Sequence, residues 1–165
     1  MKTLEEIMQM FPYTEKEKWS QHFNGKGWVY ITAKVSPSAF VEGVVFDNAQ
    51  VFGNARVYGD AQVYGDAQVS GDAQVYGDAQ VYGDAWVFGN ARVSGNAWKT
   101  SPLYIQGSKH SASNVKYGSI AIGCEVHTFA EWLKHYKAIG KAAGYNEEQT
   151  EEYKAIIDLF VKVGR

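Results

Sequence analysis

Residues 57–68 read VYGDAQVYGDAQ, two copies of a six-residue repeat that decides the fold. Nine such repeats follow one another without a gap from Val45 to Trp98. Each contains Val, an aromatic residue or Ser, Gly, Asp or Asn, Ala, and then Gln, Arg or Trp, and only Asp47 interrupts the Gly column. A short, fixed period of this kind predicts a repeat architecture in which neighbouring units stack on one another.

The order of residues within the repeat predicts a short strand followed by a corner. Ala49 and Val51 are two residues apart, as are Ala55 and Val57, so each pair points to the same side of a strand. Gly followed by Asp or Asn is typical of a tight turn, because these residues tolerate positive φ. Six residues are too few for a hairpin with strands this uniform. We therefore expect a continuous coil with an interior of Val and Ala.

The spacing of aliphatic and small residues resembles the hexapeptide repeat of left-handed parallel β-helix proteins, in which a small residue follows the aliphatic one by four positions. Val57 and Ala61 fit this pattern, as do Val75 and Ala79. The resemblance implies a left-handed parallel β-helix with three hexads per triangular coil and three to four coils, with adjacent coils ~4.8 Å apart. It also implies a homotrimer, the common assembly in that family.

The predicted fold is mainly β and has three parts. Residues 1–27 form an N-terminal helical cap, residues 28–100 form the β-helix, and residues 101–165 form a small α+β module. Two short helices are expected in the cap, because Thr3 and Thr14 are each followed three residues later by Glu, the capping-box pattern. We expect these helices to cover the open end of the coil.

A register slip is expected near Gly43. Val35 and Val45 are ten residues apart, which is not a multiple of six. The slip is either a bulge at a corner or the true start of the coil, and atypical repeats are usual at the end of such an array.

The C-terminal module is predicted to contain short strands and two helices. Strands are expected at residues 103–106, 115–117 and 119–124, with a polar loop over residues 108–114. The helices are expected to begin after Thr128 and Asn146, each of which is followed three positions later by Glu or Gln. Apolar stripes on both helices predict that they pack against each other, the small sheet or another chain.

This C-terminal module is also similar to the C-terminal tail of uncharacterised bacteriophage and prophage proteins. The residues that carry the resemblance are 101–107, 122–124, Glu131, Trp132 and Tyr136. The resemblance implies a phage or prophage source and supplies no chemistry.

The outward residues of the coil predict either stabilising ladders or an oligomer interface. Residues 18 apart would stack on one face, so aromatic rings, Gln side chains and corner carboxylates would recur from coil to coil. The corner Asp and Asn residues are interpreted as turn formers that hydrogen-bond within their own corner. Contiguous exposed aromatic surface favours an interface. The predicted interface residues of a homotrimer are Tyr64, Tyr82, Trp86, Phe88, Arg92 and Trp98.

Composition narrows the classes of partner and compartment. The formal net charge is −2, with 16 Lys and Arg against 18 Asp and Glu, so no general affinity for nucleic acid or anionic membranes is expected. No stretch approaches the ~20 apolar residues of a membrane span, and the N-terminus lacks an apolar run of signal-peptide length. With Cys124 as the single cysteine, no intrachain disulfide can form. We expect a soluble protein of the cytoplasm, or of the host cytoplasm if the chain is phage-encoded.

Neither a metal site nor a cofactor is predicted. Cys124 and His127 have the spacing of metal ligands, but a closed zinc site needs four ligands and no second pair accompanies them. Cys124 is interpreted as a small buried residue at a strand end.

The favoured function is that of a non-catalytic binding and oligomerisation protein with a host-interaction role. It would bind a defence protein or sequester a small anionic, nucleotide-like signal molecule. The polar loop supplies backbone N–H groups, hydroxyls and an ammonium that suit an anion. The predicted ligand-binding residues are Ser108, Lys109, His110, Ser111, Trp132 and Tyr136.

Two alternatives remain open. The hexapeptide-repeat resemblance implies an acyltransferase that uses acetyl- or acyl-coenzyme A and a histidine base. None of the four histidines lies in the repeat and no loop interrupts it, so His110, just after the coils, is the one candidate base. The other alternative is a purely structural trimeric spacer.

Overall fold

In a computed structural model, which describes residues 1–95 and 97–163, the chain divides into two compact units. The first contains Met1–Asn90 and Ser94–Ser101, and the second contains Ala91–Val93 and Pro102–Arg165. Asn96, the corner residue of the ninth repeat, lies outside the described residues. No helix within the described ranges is long and apolar enough to cross a lipid bilayer.

The repeat region forms very short strands, as the alternation of Val with Gly-Asp corners predicts. In chain order they are β1 (Trp19–Gln21), β2 (Trp28–Tyr30), β3 (Lys34–Val35), β4 (Phe40–Val41), β5 (Val44–Val45), β6 (Gln50–Val51), β7 (Arg56–Val57), β8 (Gln62–Val63), β9 (Gln68–Val69), β10 (Gln74–Tyr76), β11 (Gln80–Val81), β12 (Trp86–Val87), β13 (Arg92–Ser94) and β14 (Ala97–Trp98). Within the regular repeats, each strand from β6 to β13 includes the last residue of one repeat and the Val of the next.

These strands pair in parallel with strands of the next turn and form a β-solenoid of about four turns. One sheet has the order β1-β2-β5-β8-β11-β14, a second contains β4, β7 and β10, and a third has the order β3-β6-β9-β12. From Val45 onward the regular pairing joins equivalent residues of successive turns, as in Val45 with Val63 and Val63 with Val81. The prediction of a parallel β-solenoid is therefore confirmed.

The predicted interior of Val and Ala is confirmed. Every repeat Val and Ala from Ala49 to Val93 is at most 1% exposed. Burying one Val side chain stabilises the fold by roughly 1.5–3 kcal/mol. Because each turn buries the same two residue types, the solenoid core is built from many equal contributions.

The corners need a left-handed backbone conformation and a close approach between turns. Gly65 has φ +68°, and a Cβ added there would lie 3.0 Å from the backbone nitrogen of Gly83. Asp47, which interrupts the Gly column, adopts φ 55°, and its carboxylate accepts a hydrogen bond of 3.2 Å from the Gly65 N–H. Positive φ is unfavourable at a non-glycine residue, and at Asp47 the hydrogen bond between turns offsets part of this cost.

Asn48 and Asn54 bond between turns, which corrects, at these corners, the expectation that the polar residues bond within their own corner. Asn48 Nδ2 donates to Asp66 Oδ1 at 3.2 Å, and Asn54 Nδ2 donates to Asp72 Oδ1 at 3.3 Å. An amide donor opposite a carboxylate acceptor satisfies both groups without placing two like charges together.

The register slip lies at a corner inside the solenoid. Before Gly43 the pairing is two positions shorter than in the regular repeats, as in Val41 with Val57 and Val29 with Val45. The backbone N–H groups of Glu42 and Gly43 both bond to the Val57 carbonyl. A Cβ at residue 43 would lie 2.3 Å from the Ala61 carbonyl oxygen, so the shortened corner requires glycine. The alternative that the coil begins at the slip is wrong, since β2, β3 and β4 precede it.

The N-terminal segment contains one helix rather than the two predicted. Helix α1 (Leu4–Met10) begins at the Thr3–Glu6 capping box, as expected. The second predicted helix is only a 3₁₀ turn (Lys16–Lys18) followed by β1, which pairs antiparallel with β2. Thr14 does not cap a helix, because its hydroxyl donates to the Phe11 carbonyl and accepts from the Trp19 indole N–H.

The N-terminal segment covers the outside of the first turns, whereas we expected it to close the open end. Ile7, Phe11 and Trp19 pack in one buried cluster with the outward side chains Val44 and Phe46. At the sheet edge, β1 supplies an antiparallel strand. β1 is only three residues long, and so short an edge strand offers little template for further strand addition.

Trp98 points into the core, which corrects its predicted place on the outer surface. β14 pairs with β11 such that Ala97 faces Gln80 and Trp98 faces Val81, one position short of the pairing between β8 and β11. A slip of one residue moves a side chain to the opposite face of a strand. Trp98 therefore occupies a Val position and is 4% exposed.

The second unit contains an antiparallel sheet and two helices. The sheet has the order β15 (Tyr104–Gln106), β16 (Ser111–Lys116), β17 (Ser119–Ile122) and β18 (Glu125–Thr128). Helices α2 (Phe129–Ala142) and α3 (Glu147–Val163) follow. Both predicted caps are confirmed: Thr128 and Glu131 form a capping box, and Asn146 and Gln149 bond each other's backbone N–H groups.

The predicted polar loop over residues 108–114 is wrong beyond His110. Ser111 to Asn114 belong to β16, where Ser113 and Asn114 are at most 3% exposed. Asn114 Oδ1 accepts from the Leu103 N–H, and Ser113 Oγ accepts from the Arg92 N–H. These hydrogen bonds compensate for the burial of the small polar side chains. The polar composition of residues 111–114 was therefore a misleading sign of a loop.

Candidate functional site

A cavity of about 400 Å³ opens in the second unit, between the sheet and the two helices. This volume lies within the range typical of small-molecule sites. The lining residues are His110, Ile122, Cys124, Glu125, His127, Trp132, Tyr136, Ile139, Gly140, Ala142, Ala143, Tyr145, Thr150, Tyr153 and Ile157.

Trp132 forms a fixed wall of the cavity. It lies in the first turn of α2, is 3% exposed, and packs with Ile120, Ile157 and Phe160 in the core of the unit. Its indole N–H donates to the Ile120 carbonyl at 3.0 Å. The bond ties α2 to the sheet, so the ring is held in one orientation before any ligand arrives.

Tyr153 anchors the turn that carries His110. Its hydroxyl accepts from the backbone N–H groups of Lys109 and His110 and donates to the His110 carbonyl at 2.8 Å. A Cβ added at Gly107 would lie 2.6 Å from this hydroxyl, so the approach requires glycine there. The turn and Tyr153 are far apart in the sequence, which is why local spacing could not predict the contact.

His110 presents its ring to the cavity beside a second aromatic side chain. Its centroid lies 5.8 Å from that of Tyr145. A Cβ at Gly123 would come within 3.1 Å of His110 Cγ, so this glycine makes room for the imidazole. The sequence prediction that His110 belongs to a site is consistent with this placement, and its role stays a prediction.

Tyr145 and Tyr153 form an aromatic pair on the cavity wall, with ring centroids 4.7 Å apart. Burial, together with the neighbouring Tyr153 hydroxyl, raises the pKa of the Tyr145 phenol well above its usual range. The phenol is therefore neutral throughout the physiological range, and its hydroxyl, which interacts with that of Tyr153, is a hydrogen-bonding group on the cavity wall.

Three of the six predicted ligand residues face elsewhere. Lys109 Nζ donates to the Ala143 and Gly144 carbonyls at 2.8 and 3.1 Å, where an ammonium satisfies the C-terminal end of α2. The backbone and hydroxyl of Ser108 both bond to the Glu152 carboxylate. Ser111 lies in β16. Only His110, Trp132 and Tyr136 of the predicted set line the cavity.

Cys124, Glu125 and His127 line the cavity and were missed by the sequence prediction. Cys124 is exposed, which corrects the interpretation that it is buried at a strand end. His127 Nε2 lies 3.2 Å from Glu125 Oε2, and its ring meets Trp132 edge-on at 5.0 Å. The close spacing of a cysteine and a histidine was the available signal. In the described part of the chain, no three His, Cys, Asp or Glu side chains are placed to hold a metal ion.

The predicted interface residues of the first unit fall into separate environments. The Tyr64 ring stacks between Phe46 and Tyr82, at 4.8 and 5.1 Å, and packs against the buried cluster under α1. Trp86 and Phe88 are 51% and 40% exposed, with centroids 5.3 Å apart. The corner at Gly83 and Asp84 separates Trp86 from Tyr82, and Trp86, on the strand that follows, lies beside Phe88.

Arg92, another predicted interface residue, belongs to the second unit. Its side chain is partly buried, and its backbone N–H bonds to Ser113. No partner chain is needed to account for the burial of Trp98 either, since Trp98 fills a core position of the solenoid.

Comparison with known proteins identifies the repeat alone. A family model described as the YdcK beta solenoid repeat matches residues 49–65, 61–77, 67–83, 73–87 and 79–95. Neither a search of curated proteins nor a search of solved structures found a match. The match lies within residues 49–95, less than a third of the chain, and together with the parallel sheets it shows a β-solenoid repeat similar to the YdcK repeat.

Proposed function

We propose that this chain is a non-catalytic binding protein whose solenoid is a rigid frame and whose C-terminal module binds a small planar molecule. The observation that carries the proposal is the cavity beside Trp132, which aromatic side chains line on α2, α3 and the segment between them. Flat, apolar walls with a few polar groups suit a planar heteroaromatic ligand.

The polar groups of the cavity favour a nucleotide-like ligand. His110, His127, Glu125 and the neutral Tyr145 phenol offer both donors and acceptors for the edge of a base. Tyr136 and Tyr145, which are partly exposed, offer surfaces on which a base can stack, a contact typically contributing about 1–3 kcal/mol. Sequestration of a small nucleotide-like signal molecule is therefore the form of host interaction that we propose.

The solenoid in this proposal is left-handed, has three hexads per coil and assembles as a homotrimer in the host cytoplasm of a phage or prophage. The pairing of every third strand in the regular repeats supports the three-hexad coil. The exposed pair Trp86 and Phe88 supports a partner on one face. Sedimentation equilibrium tests the assembly: a trimer is expected, and a monomer at high concentration would contradict it.

Thermal unfolding with a panel of nucleobases, nucleosides and nucleotides tests the binding function. A ligand that binds only the folded state increases the free energy of unfolding, by about 2.7 kcal/mol when its concentration is 100 times its Kd. Tm rises as a result. We expect at least one panel member to raise Tm. Ala142→Trp, which places a bulky side chain at the wall of the cavity, should remove the shift.

Ala130→Trp is the matched control, because Ala130 is on the same helix, is not fully buried and does not line the cavity. It should keep the ligand-dependent shift. The proposal fails if no panel member raises Tm, or if Ala142→Trp leaves the shift intact.

A second candidate, an acyltransferase, is favoured by one observation: the His110 imidazole lines a cavity, with Gly123 making room for its ring. This candidate predicts coenzyme A binding, acyl transfer from acetyl- or acyl-coenzyme A, and loss of turnover in His110→Ala. Transfer at the background rate with every acyl donor would exclude it and leave the binding function.

A further inference from the structure

A groove of about 440 Å³ adjoins the cavity where α2 ends and α3 begins. Its lining residues are Lys137, Lys141, Tyr145, Asn146, Glu147, Thr150 and Glu151. Tyr145 and Thr150 line both the groove and the cavity. The cavity and the groove therefore meet at these two side chains.

Two lysines give one side of the groove its positive charge. Lys137 and Lys141 are four residues apart on α2, so they lie on one face of the helix, and neither is buried. Neither makes an ion pair within residues 1–95 and 97–163. Lys109 differs, because its ammonium is bonded to the carbonyls at the end of α2.

The opposite side of the groove is acidic, and its carboxylates weaken the attraction of the groove for an anion. Glu147 and Glu151 reach it from α3. The hydrogen bond to the Asp158 carboxylate raises the pKa of Lys154 most, and the nearby Glu151 carboxylate raises it a little further. An anion would thus be drawn to α2 and away from the start of α3.

We propose that the ligand of the cavity carries a phosphate-class anionic group that Lys137 and Lys141 hold in this groove. The inference rests on the proposed function, because it needs the planar part of the ligand in the aromatic cavity. It defines the ligand class as a nucleoside phosphate. It also moves the anion-binding role from Lys109, for which the sequence predicted it, to two lysines of α2.

Calorimetric titration with adenosine, guanosine, cytidine and uridine, each beside its 5′-monophosphate, tests the inference. For the preferred base we expect the monophosphate to bind about fivefold more tightly than the nucleoside at low salt, as exposed ion pairs allow. This phosphate increment should shrink as ionic strength rises, because the lysines are accessible to solvent.

Charge-neutral variants locate the phosphate. The double variant Lys137→Gln/Lys141→Gln should lose the increment and keep the nucleoside affinity. Lys134→Gln/Lys162→Gln is the control. Lys134 lies on α2 and Lys162 lies on α3, and neither lines the groove. The control should keep the increment, and Glu147→Gln/Glu151→Gln should enlarge it.

The outcomes separate the two proposals. Equal affinity for nucleoside and monophosphate overturns the inference and leaves the cavity as a nucleoside site. An increment that survives in Lys137→Gln/Lys141→Gln also overturns the inference. Failure of every nucleoside and every monophosphate to bind overturns both the inference and the proposed function.

Discussion

The solenoid and the C-terminal module are stabilised in different ways. In the solenoid each contact recurs in the next turn, so Val63 over Val45 and under Val81 is one of many equal contacts. In the module single contacts between distant segments hold the structure, such as Tyr153 with the turn at His110. Repetition builds a rigid frame with a uniform surface, whereas unrepeated contacts leave room for a cavity.

Loss of an unrepeated contact should therefore lower the free energy of unfolding more than loss of a surface side chain on the same helix. Trp132→Ala removes a buried indole and its bond to Ile120, and should lower the free energy of unfolding by about 3–5 kcal/mol. Leu133→Ala, at a side chain 39% exposed, is the control and should cost less. Urea unfolding measures both, and equal costs would contradict the description of Trp132 as a core wall.

The Tyr153 hydroxyl is a single group on which a whole turn of the module depends. Tyr153→Phe leaves the N–H groups of Lys109 and His110 without their acceptor and should cost about 1–3 kcal/mol. Tyr136→Phe is the matched control, since the Tyr136 hydroxyl makes no hydrogen bond to any described residue. Chemical denaturation should separate the two variants, and a neutral Tyr153→Phe would show that the turn does not depend on this hydroxyl.

The solenoid corners offer a test within the repeated region itself. Gly65→Ala places a Cβ at positive φ and 3.0 Å from the next turn, and the positive φ alone should cost about 1–2 kcal/mol. Gly77→Ala has nearly the same φ but no atom within 4 Å of the added carbon. Its cost should be smaller, and the difference isolates the close approach of turns. If thermal unfolding shows that Gly77→Ala is more destabilising than Gly65→Ala, the corners do not approach each other as described.

The smallest effect is expected at the cap of α2. Hydrogen bonds from Thr128 hold the pKa of the Glu131 carboxyl below its usual range. A lowered folded-state pKa stabilises the protein above the unfolded pKa, and the contribution is lost as the pH falls through the lowered value. The Tm advantage of the wild type over Glu131→Gln should accordingly be present at neutral pH and fade under acid. An advantage that grows with acidification would contradict the cap.

The features that the sequence predicted correctly depend on local spacing. The Val and Ala interior, the coil and the caps at Thr3, Thr128 and Asn146 are each set by residues a few positions apart. The prediction of a second N-terminal helix was wrong, because the Thr14 hydroxyl bonds to the Trp19 indole and does not cap a helix. A capping pattern permits a helix but cannot show what else competes for the hydroxyl.

The features that the sequence could not predict depend on partners far away in the chain. The inward turn of Trp98 follows from its register against β11, and the strand at Ser111–Lys116 follows from pairing with its neighbours. The cavity brings together residues from several elements, so no spacing reveals it. Lys109 was misplaced because the carbonyls that bind its ammonium belong to the distant end of α2.

Native mass spectrometry of the gently purified protein tests whether the C-terminal module holds a small molecule. We expect a species heavier than the chain by one small nucleotide-like molecule per subunit, and that species should disappear in Ala142→Trp and persist in Ala130→Trp. The bare mass of the chain, together with no added mass after incubation with the nucleotide panel, would contradict the account and leave the solenoid as a structural spacer.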